Sequence, residues 1–318
     1  MAWEEVAPQL DSGTAVWSMA VMNGEIYAGM GTGGASGGKL YNFNGTDAWV
    51  KLCDGYDTNH QYANGLTVYN GKHYCVDHAV RLFEFDVGTS LWVLKANGYN
   101  RLGWDIAYTA YQLKVFNGKL YTATGHTYGA SSNFLLEWND SNAWIDRCHV
   151  AVNNNPWRTL EEHDSKLFVG NNTSTLFEWD GTSTLTQRAT DASIMYDLQD
   201  HDDKLYGCNQ DGDLLEYNDT DAWVNVATIL GSQGVYSLLS GSDGNLYAGT
   251  YGSVTDSGNL FRWDATLWTK LCAVLNSQKG IFALVELGDY IYGGTYINGK
   301  LFRMKIIKGY NPLFFGNM

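Results

Sequence analysis

The sequence is short of several things, and each shortage removes a class of protein. Of 318 residues only 20 are Lys or Arg, against 34 Asp or Glu, which gives a formal net charge of −14. Nucleic-acid affinity comes from cations set against phosphates, so DNA and RNA are not expected partners. The polybasic patch that holds a protein to an anionic membrane is missing for the same reason. No apolar run is long enough to span a bilayer. With only 3 Pro beside 36 Gly and 45% hydrophobic residues, the composition is that of a folded, turn-rich chain. Five cysteines, an odd number, argue against a complete disulfide framework. No segment combines a 3.6-residue apolar period with caps, so almost no helix is expected. The opening MAWEEVAPQL carries acids and no apolar leader core. The expected location is therefore cytoplasmic synthesis, or extracellular if a leader has been removed.

What is present is one phrase, rewritten along the chain. NGEIYAGMG begins at Asn23, NGKHYCVDH at Asn70, NGKLYTATG at Asn117 and DGNLYAGTY at Asp243. Aligning on its aromatic residue gives Tyr27, Tyr74, Tyr121, Phe168, Tyr206, Tyr247 and Tyr292. Spacings of about 38–47 residues suit a repeat of four short strands. Each unit reads as an apolar strand, an Asn-Gly type hairpin turn, a second strand, a variable loop, a third strand such as TLFEWD, a second tight turn and a fourth strand such as AWVKLC.

Seven such units predict an all-β fold: a single seven-bladed β-propeller of four-stranded antiparallel blades over residues 1–305, with an apolar tail at 306–318. The last unit stops after its third strand, GKLFRMK, and the chain begins with the missing fourth, AWEEVA at Ala2–Ala7. The N-terminal strand is expected to complete the last blade and close the ring, leaving no free sheet edge. The units resemble Kelch-type and tachylectin-like propeller repeats. The Kelch glycine pair stands at Gly293-Gly294, and Trp179-Asp180 and Trp263-Asp264 sit where WD-type repeats place their Trp-Asp pair. The tachylectin resemblance implies sugar binding, although those propellers have fewer blades. The Asn-Gly-rich style resembles repeats of phage and microbial surface proteins, which implies a virion or tail component.

Residues with chemical potential have plain alternatives. Cys53, Cys148 and Cys272 end fourth strands where other repeats have Ala7, Ala96, Ala189 and Ala227, so they read as small packing residues. Cys75 and Cys208 occupy second strands, and no metal-ligand spacing is present. GMGTGG at Gly29–Gly34 is followed by a strand and not by the helix that a dinucleotide site requires. NQDGD at Asn209–Asp213 lacks the Glu of an EF-hand, which leaves a looser calcium loop open. Six residues before the anchors stand Glu162, Asp200 and Glu286, read as solvated rim charges with a cation ring as the alternative. Nine before stand Ser18, Gly65, Gln112, Thr159, Asp197 and Ala283, small groups expected near the axis, with Asp197 the single channel acid. Glycoside hydrolysis needs two carboxylates, so no catalytic residue is assigned and the reading leans away from an enzyme. His163 and His201, each followed by Asp, read as local hydrogen-bonding pairs. No metal or cofactor is expected.

Chain direction places both tight turns of every blade on one face and all the variable loops on the other, where binding usually resides. Those loops carry His60, Tyr62, Trp104, His126, Tyr128, Trp157, Tyr251 and Tyr296, the candidate ligand-binding set. Flat rings beside amides suit a glycan or a protein surface. In the tail, Leu313, Phe314 and Phe315 are candidates for docking a partner or a second copy. The expected function is non-enzymatic recognition or assembly, as a virion component (phage tail or capsid-associated) or a surface-binding component. A lectin-like carbohydrate binder is the first alternative, and a glycan-active hydrolase or lyase the second.

Overall fold

The computed structural model describes residues 3–8, 14–32, 38–55, 62–98, 108–126, 130–153, 155–191, 193–229, 233–252, 257–272 and 278–306. Its strands form seven four-stranded antiparallel sheets arranged as a closed ring, with no helix among the described residues. Blade 1 shows the plan: an inner strand Thr14–Met22, then Glu25–Thr32, Lys39–Phe43 and an outer strand Trp49–Cys53. The hairpin after each inner strand is built as its residues dictate. Asn23, Asn70 and Asn117 adopt positive φ and the glycine after each does too, which gives the twist that joins two strands tightly. Asp164-Ser165 and Asp202-Asp203 hold the same conformation without glycine.

The second tight turn rests on a side chain. Asn44, Asn139 and Asn218, and the acids Asp86, Asp180 and Asp264, each turn Oδ1 back to accept backbone N–H groups two to four residues on. The two Trp-Asp pairs are therefore turn chemistry of the kind Asn serves equally well. Three backbone donors hold the Asp180 carboxyl well below the usual carboxylate range.

Closure of the ring follows the expectation. Strand Glu4–Ala7 pairs antiparallel with Leu301–Lys305, Glu4 opposite Arg303, and becomes the outer strand of blade 7. Ion pairs Arg303–Glu4 (2.9 Å) and Lys300–Glu5 (2.8 Å) sit on this junction, while Val6 and Ala7 enter the core shared by blades 7 and 1. The glycine pair has a steric reason. A Cβ on Gly294 would stand 2.4 Å from Val16 Cγ1 of blade 1, so only glycine lets the two blades meet.

The anchor aromatics fill the wedges between blades, six of them buried and Tyr27 half-buried, with hydroxyls satisfied at the blade surface: Tyr74 to Glu84 (2.5 Å), Tyr121 to Glu137 (2.7 Å) and Tyr247 to Asp243 (2.7 Å). Fourth-strand tryptophans reach back one blade. Trp49 Nε1 donates to Gly299 O, Trp144 Nε1 to Val80 O and Trp223 Nε1 to Ser174 O. All five cysteines are free and buried, and burial pushes the thiols of Cys53 and Cys148 up to about 12, so neither ionises at neutral pH. Ile306, at the start of the tail segment, is buried and its N–H donates to Asp289 O. Leu313, Phe314 and Phe315 lie outside the described residues.

Candidate functional site: the mouth of the central channel

Every inner strand breaks its register at the same place. The shifts fall between Val16 and Ser18, Asn64 and Thr67, Ala110 and Leu113, Trp157 and Thr159, Met195 and Asp197, Val235 and Ser237, and Ile281 and Ala283. A β-bulge inserts a residue that has no place in the alternation of the strand, and it re-aims that side chain. Here the residues at the bulge line a cavity of about 280 Å³ on the propeller axis: Trp17, Gly65, Tyr111, Arg158, Tyr196, Tyr236 and Phe282. Lying in the first half of each inner strand, they open on the loop face.

Together with two loop residues they close a ring around the mouth. Trp17 meets Phe282 edge-on at 5.4 Å between centroids, Phe282 stacks on Tyr236 at 4.6 Å and 7°, and Tyr236 stacks on Tyr196 at 3.6 Å and 23°. The guanidinium of Arg158 then lies 5.5 Å from the Tyr196 ring and 4.6 Å from that of Tyr111, close enough for cation–π attraction. Tyr111 continues through His78 (5.6 Å) and Tyr62 (4.8 Å) back to Trp17 (4.6 Å). Tyr251 and Tyr296 stand behind this ring, 4.9 Å from Tyr236 and 4.5 Å from Phe282. Burial raises the hydroxyl pKa of Tyr62, Tyr236 and Tyr251, so they remain protonated donors.

Just inside the ring runs a belt of hydrogen bonds from blade to blade. Ser18 Oγ donates to Ala63 O, and Asn64 Nδ2 to Ala110 O. Gln112 Oε1 accepts from Leu160 N, and Thr159 Oγ1 from Leu198 N. Asp197 Oδ2 accepts from Leu238 N at 2.9 Å while its Oδ1 accepts from its neighbour Leu198 N at 3.0 Å. These positions are thus more than small fillers near the axis. The belt also defines Asp197: it stands in the channel wall with both oxygens already engaged. Burial, with Glu161 nearby, pushes its carboxyl up to about 7, against the pull of those two amides.

Glu161 was not visible as a channel acid in the sequence. It lines the same cavity and is bound to Lys114 of the neighbouring blade at 2.6 Å. Both stand seven residues before their anchors, a column that would have exposed the pair. Two of the acids six before the anchors bond to the preceding blade. Asp200 takes His163 Nδ1 at 2.6 Å and Glu286 accepts from Ser242 N at 2.7 Å. His163 and His201 reach the next blade, Asp200 and Ser240 respectively, in addition to the short-range contacts with their own turn acids. No group of ligands able to hold a metal is found among the described residues. Asn209 Oδ1 caps its own loop by accepting from Asp211 N and Asp213 N.

Of the loop-face candidates, Tyr62, Tyr251 and Tyr296 are brought together at the mouth. Trp157 is not: it is fully buried between blades, packed on Phe177 at 5.7 Å. It precedes the bulge by one residue, so it follows the strand alternation into the core and leaves the channel to Arg158. His60, Trp104 and Tyr128 lie outside the described residues, as does the side chain of His126. The sequence reading missed Trp17, Tyr111, Arg158, Tyr196, Tyr236 and Phe282. Most of them stand ten residues before an anchor, one beyond the column that singled out Asp197.

No protein-family model matches the chain, and no curated protein does either. Solved structures resemble it in fold. A catalytically inactive virginiamycin B lyase from Staphylococcus aureus with quinupristin superposes with a TM-score of 0.74 at 11% identity, covering 96% of this chain and 99% of that one. YCF48 bound to D1 peptide gives 0.69 at 13% identity, covering 97% and 98%. The WD40 β-propeller domain of Doa1 gives 0.67 at 11%, covering 95% and 96%. At such identities the likeness is one of fold. The chain is a seven-bladed β-propeller.

Proposed function

We propose that this protein is a non-catalytic recognition propeller that takes its ligand at the aromatic mouth of the central channel, and that the ligand is a glycan. The observation that carries the reading is the closed ring from Trp17 through Phe282, Tyr236, Tyr196, Arg158, Tyr111, His78 and Tyr62. Sugar rings have apolar faces that stack on aromatic groups and hydroxyls that exchange hydrogen bonds with tyrosine and amide groups. Gln112 and Gln199 line the cavity below the ring, which supplies the amides. A cavity near 280 Å³ falls at the small end of ligand sites, which run to about 1,000 Å³, and it admits a sugar unit but no folded element. The resemblance to tachylectin-like repeats supports the same reading.

The hydrolase alternative is weakened because the second channel acid, Glu161, is paired with Lys114 at 2.6 Å, which leaves Asp197 without the free carboxylate partner that glycoside hydrolysis needs. The virion setting remains part of the proposal and rests on the style of the repeats. Trp17 supplies the test. Tryptophan fluorescence should change on titration with a glycan retained on an array, Trp17→Phe should reduce that change, and Phe282→Ala should move the titration to about thirtyfold higher concentration. An array on which nothing is retained above background overturns the reading.

A further inference from the structure

The mouth is not uniform in charge. It carries one guanidinium in a protein of net charge −14, and that group, like Arg262 but unlike the other described arginines, has no carboxylate partner among the described residues. Arg81, Arg147, Arg188 and Arg303 are each engaged by a carboxylate: Asp77, Glu137, Glu178 and Glu4. Arg158 has none among the described residues. Its Nε is tied to Asn172 Oδ1, and its plane is held beside the rings of Tyr111 and Tyr196. This fixes the orientation of the guanidinium and leaves its two Nη groups without a partner among the described residues, at the edge of the cavity that Arg158 lines.

The charges below do not oppose an anion there. Lys114 is paired with Glu161 at 2.6 Å, and burial pushes the Asp197 carboxyl up to about 7, towards its neutral form, with each oxygen also accepting one backbone N–H. A guanidinium with its outer nitrogens free matches the two oxygens of a carboxylate or sulfate, a fork-to-fork geometry stronger than a neutral contact. Three blades away on either side stand Phe282 of blade 7 and Trp17 of blade 1, whose rings meet edge-on at 5.4 Å.

We propose that the glycan taken at this mouth is acidic, its ring lying along the aromatic arc and its carboxylate or sulfate meeting Arg158. This rests on the glycan reading above and goes beyond it by fixing the ligand's charge. The energetics favour the arrangement because Arg158 is already ordered by Asn172 and the two tyrosines, so little side-chain freedom is lost on binding.

Calorimetric titration with matched pairs of oligosaccharides tests it. The pairs are oligogalacturonate and its methyl ester, sialyllactose and lactose, and a sulfated chondroitin oligosaccharide and its desulfated form. At least one acidic member should bind tenfold or more tighter than its neutral partner, and which pair does so separates carboxylate from sulfate. Within the Arg158→Gln variant the acidic and neutral members of that pair should bind with equal affinity, and Arg158→Lys should restore only part of the difference. Unfolding midpoints equal to the parent's establish that both variants are folded. Equal affinity within every pair, or an undiminished preference in Arg158→Gln, overturns the acidic assignment and leaves glycan recognition standing. Binding to none of the six, with capture of a carboxylate-terminated peptide instead, overturns both.

Discussion

The two halves of the channel mouth share a backbone and differ in what they present. Blades 5, 6, 7 and 1 contribute Tyr196, Tyr236, Phe282 and Trp17, a continuous aromatic arc. Blades 2, 3 and 4 contribute Gly65, Tyr111 and Arg158, an arc with a gap in the bulge residues at one end, where the loop residues His78 and Tyr62 complete the ring, and a cation at the other. The bulge is common to all seven inner strands, so the fold supplies the direction and each blade chooses the group. A repeat protein can thus make an asymmetric site without disturbing its repeats. The gap at blade 2 is enforced. Gly65 has φ +54°, and a Cβ there would lie 2.5 Å from Leu113 N and 2.7 Å from Gln112 Cα.

That difference can be broken experimentally, and the largest effect is expected at the gap. Gly65→Ala places a methyl group against the neighbouring backbone in a conformation that disfavours it, and should cost about 4 kcal/mol in chemical unfolding. A loss below 1 kcal/mol would mean that blade 3 yields and the gap is not imposed by packing.

The next effect concerns acid. His73 of blade 2 is buried beside Tyr27, its centroid 3.9 Å away, with no hydrogen-bond partner for either nitrogen among the described residues. The equivalent positions hold Ile26, Leu120, Leu167, Leu205, Leu246 and Ile291, all fully buried. Burial lowers the imidazole from 6.5 to about 4. Between those values the unfolded chain binds the proton and the folded chain refuses it, so stability falls as pH drops from 6.5 towards 4, by at most about 3 kcal/mol. His73→Leu should remove that loss, and parallel stability–pH curves for parent and variant would contradict the assignment.

Binding should divide along the same line. Phe282→Ala or Tyr236→Ala, in the stacked arc, is expected to weaken glycan affinity about thirtyfold, the ~2 kcal/mol of an interface hot spot. Tyr111→Ala, across the gap, should weaken it by less. Equal losses on both sides would show that the ligand does not lean on one arc. The smallest effect is expected at Asp197. Its carboxyl, raised from 3.8 to about 7, makes the folded chain hold a proton that the unfolded chain releases. Stability is fully present below 3.8 and declines as pH rises through 7, opposite in sign to His73. Asp197→Asn should flatten that decline in a thermal series from pH 4 to 8. The change should be modest, because the group opens on the channel and keeps two amide donors.

Much of the architecture was legible because it is repeated. The Asn-Gly hairpins, the Asx-capped second turns, the anchor aromatics and the complementary first and last strands each recur or pair at fixed spacing, and each has a local reason visible in one dimension. The site was legible only in part. Tyr62, Tyr251 and Tyr296 were found because loops are where rings attract notice. Trp157 was misplaced and Arg158 missed by a single position, since an unmarked bulge shifts the facing of everything around it.

The sequence by itself determined seven blades, their turns and the closure at Glu4–Ala7 and Leu301–Lys305. It did so because hairpins, strand alternation and buried aromatics are short-range commitments of the residues themselves. Only the tertiary structure decided that Trp17, Tyr236, Phe282 and Arg158, drawn from four blades, meet around one axis. No local interaction joins them. They converge because ring closure brings seven bulges to the same height, and the bulged residue, excluded from both packed faces of its blade, has only the channel left to occupy.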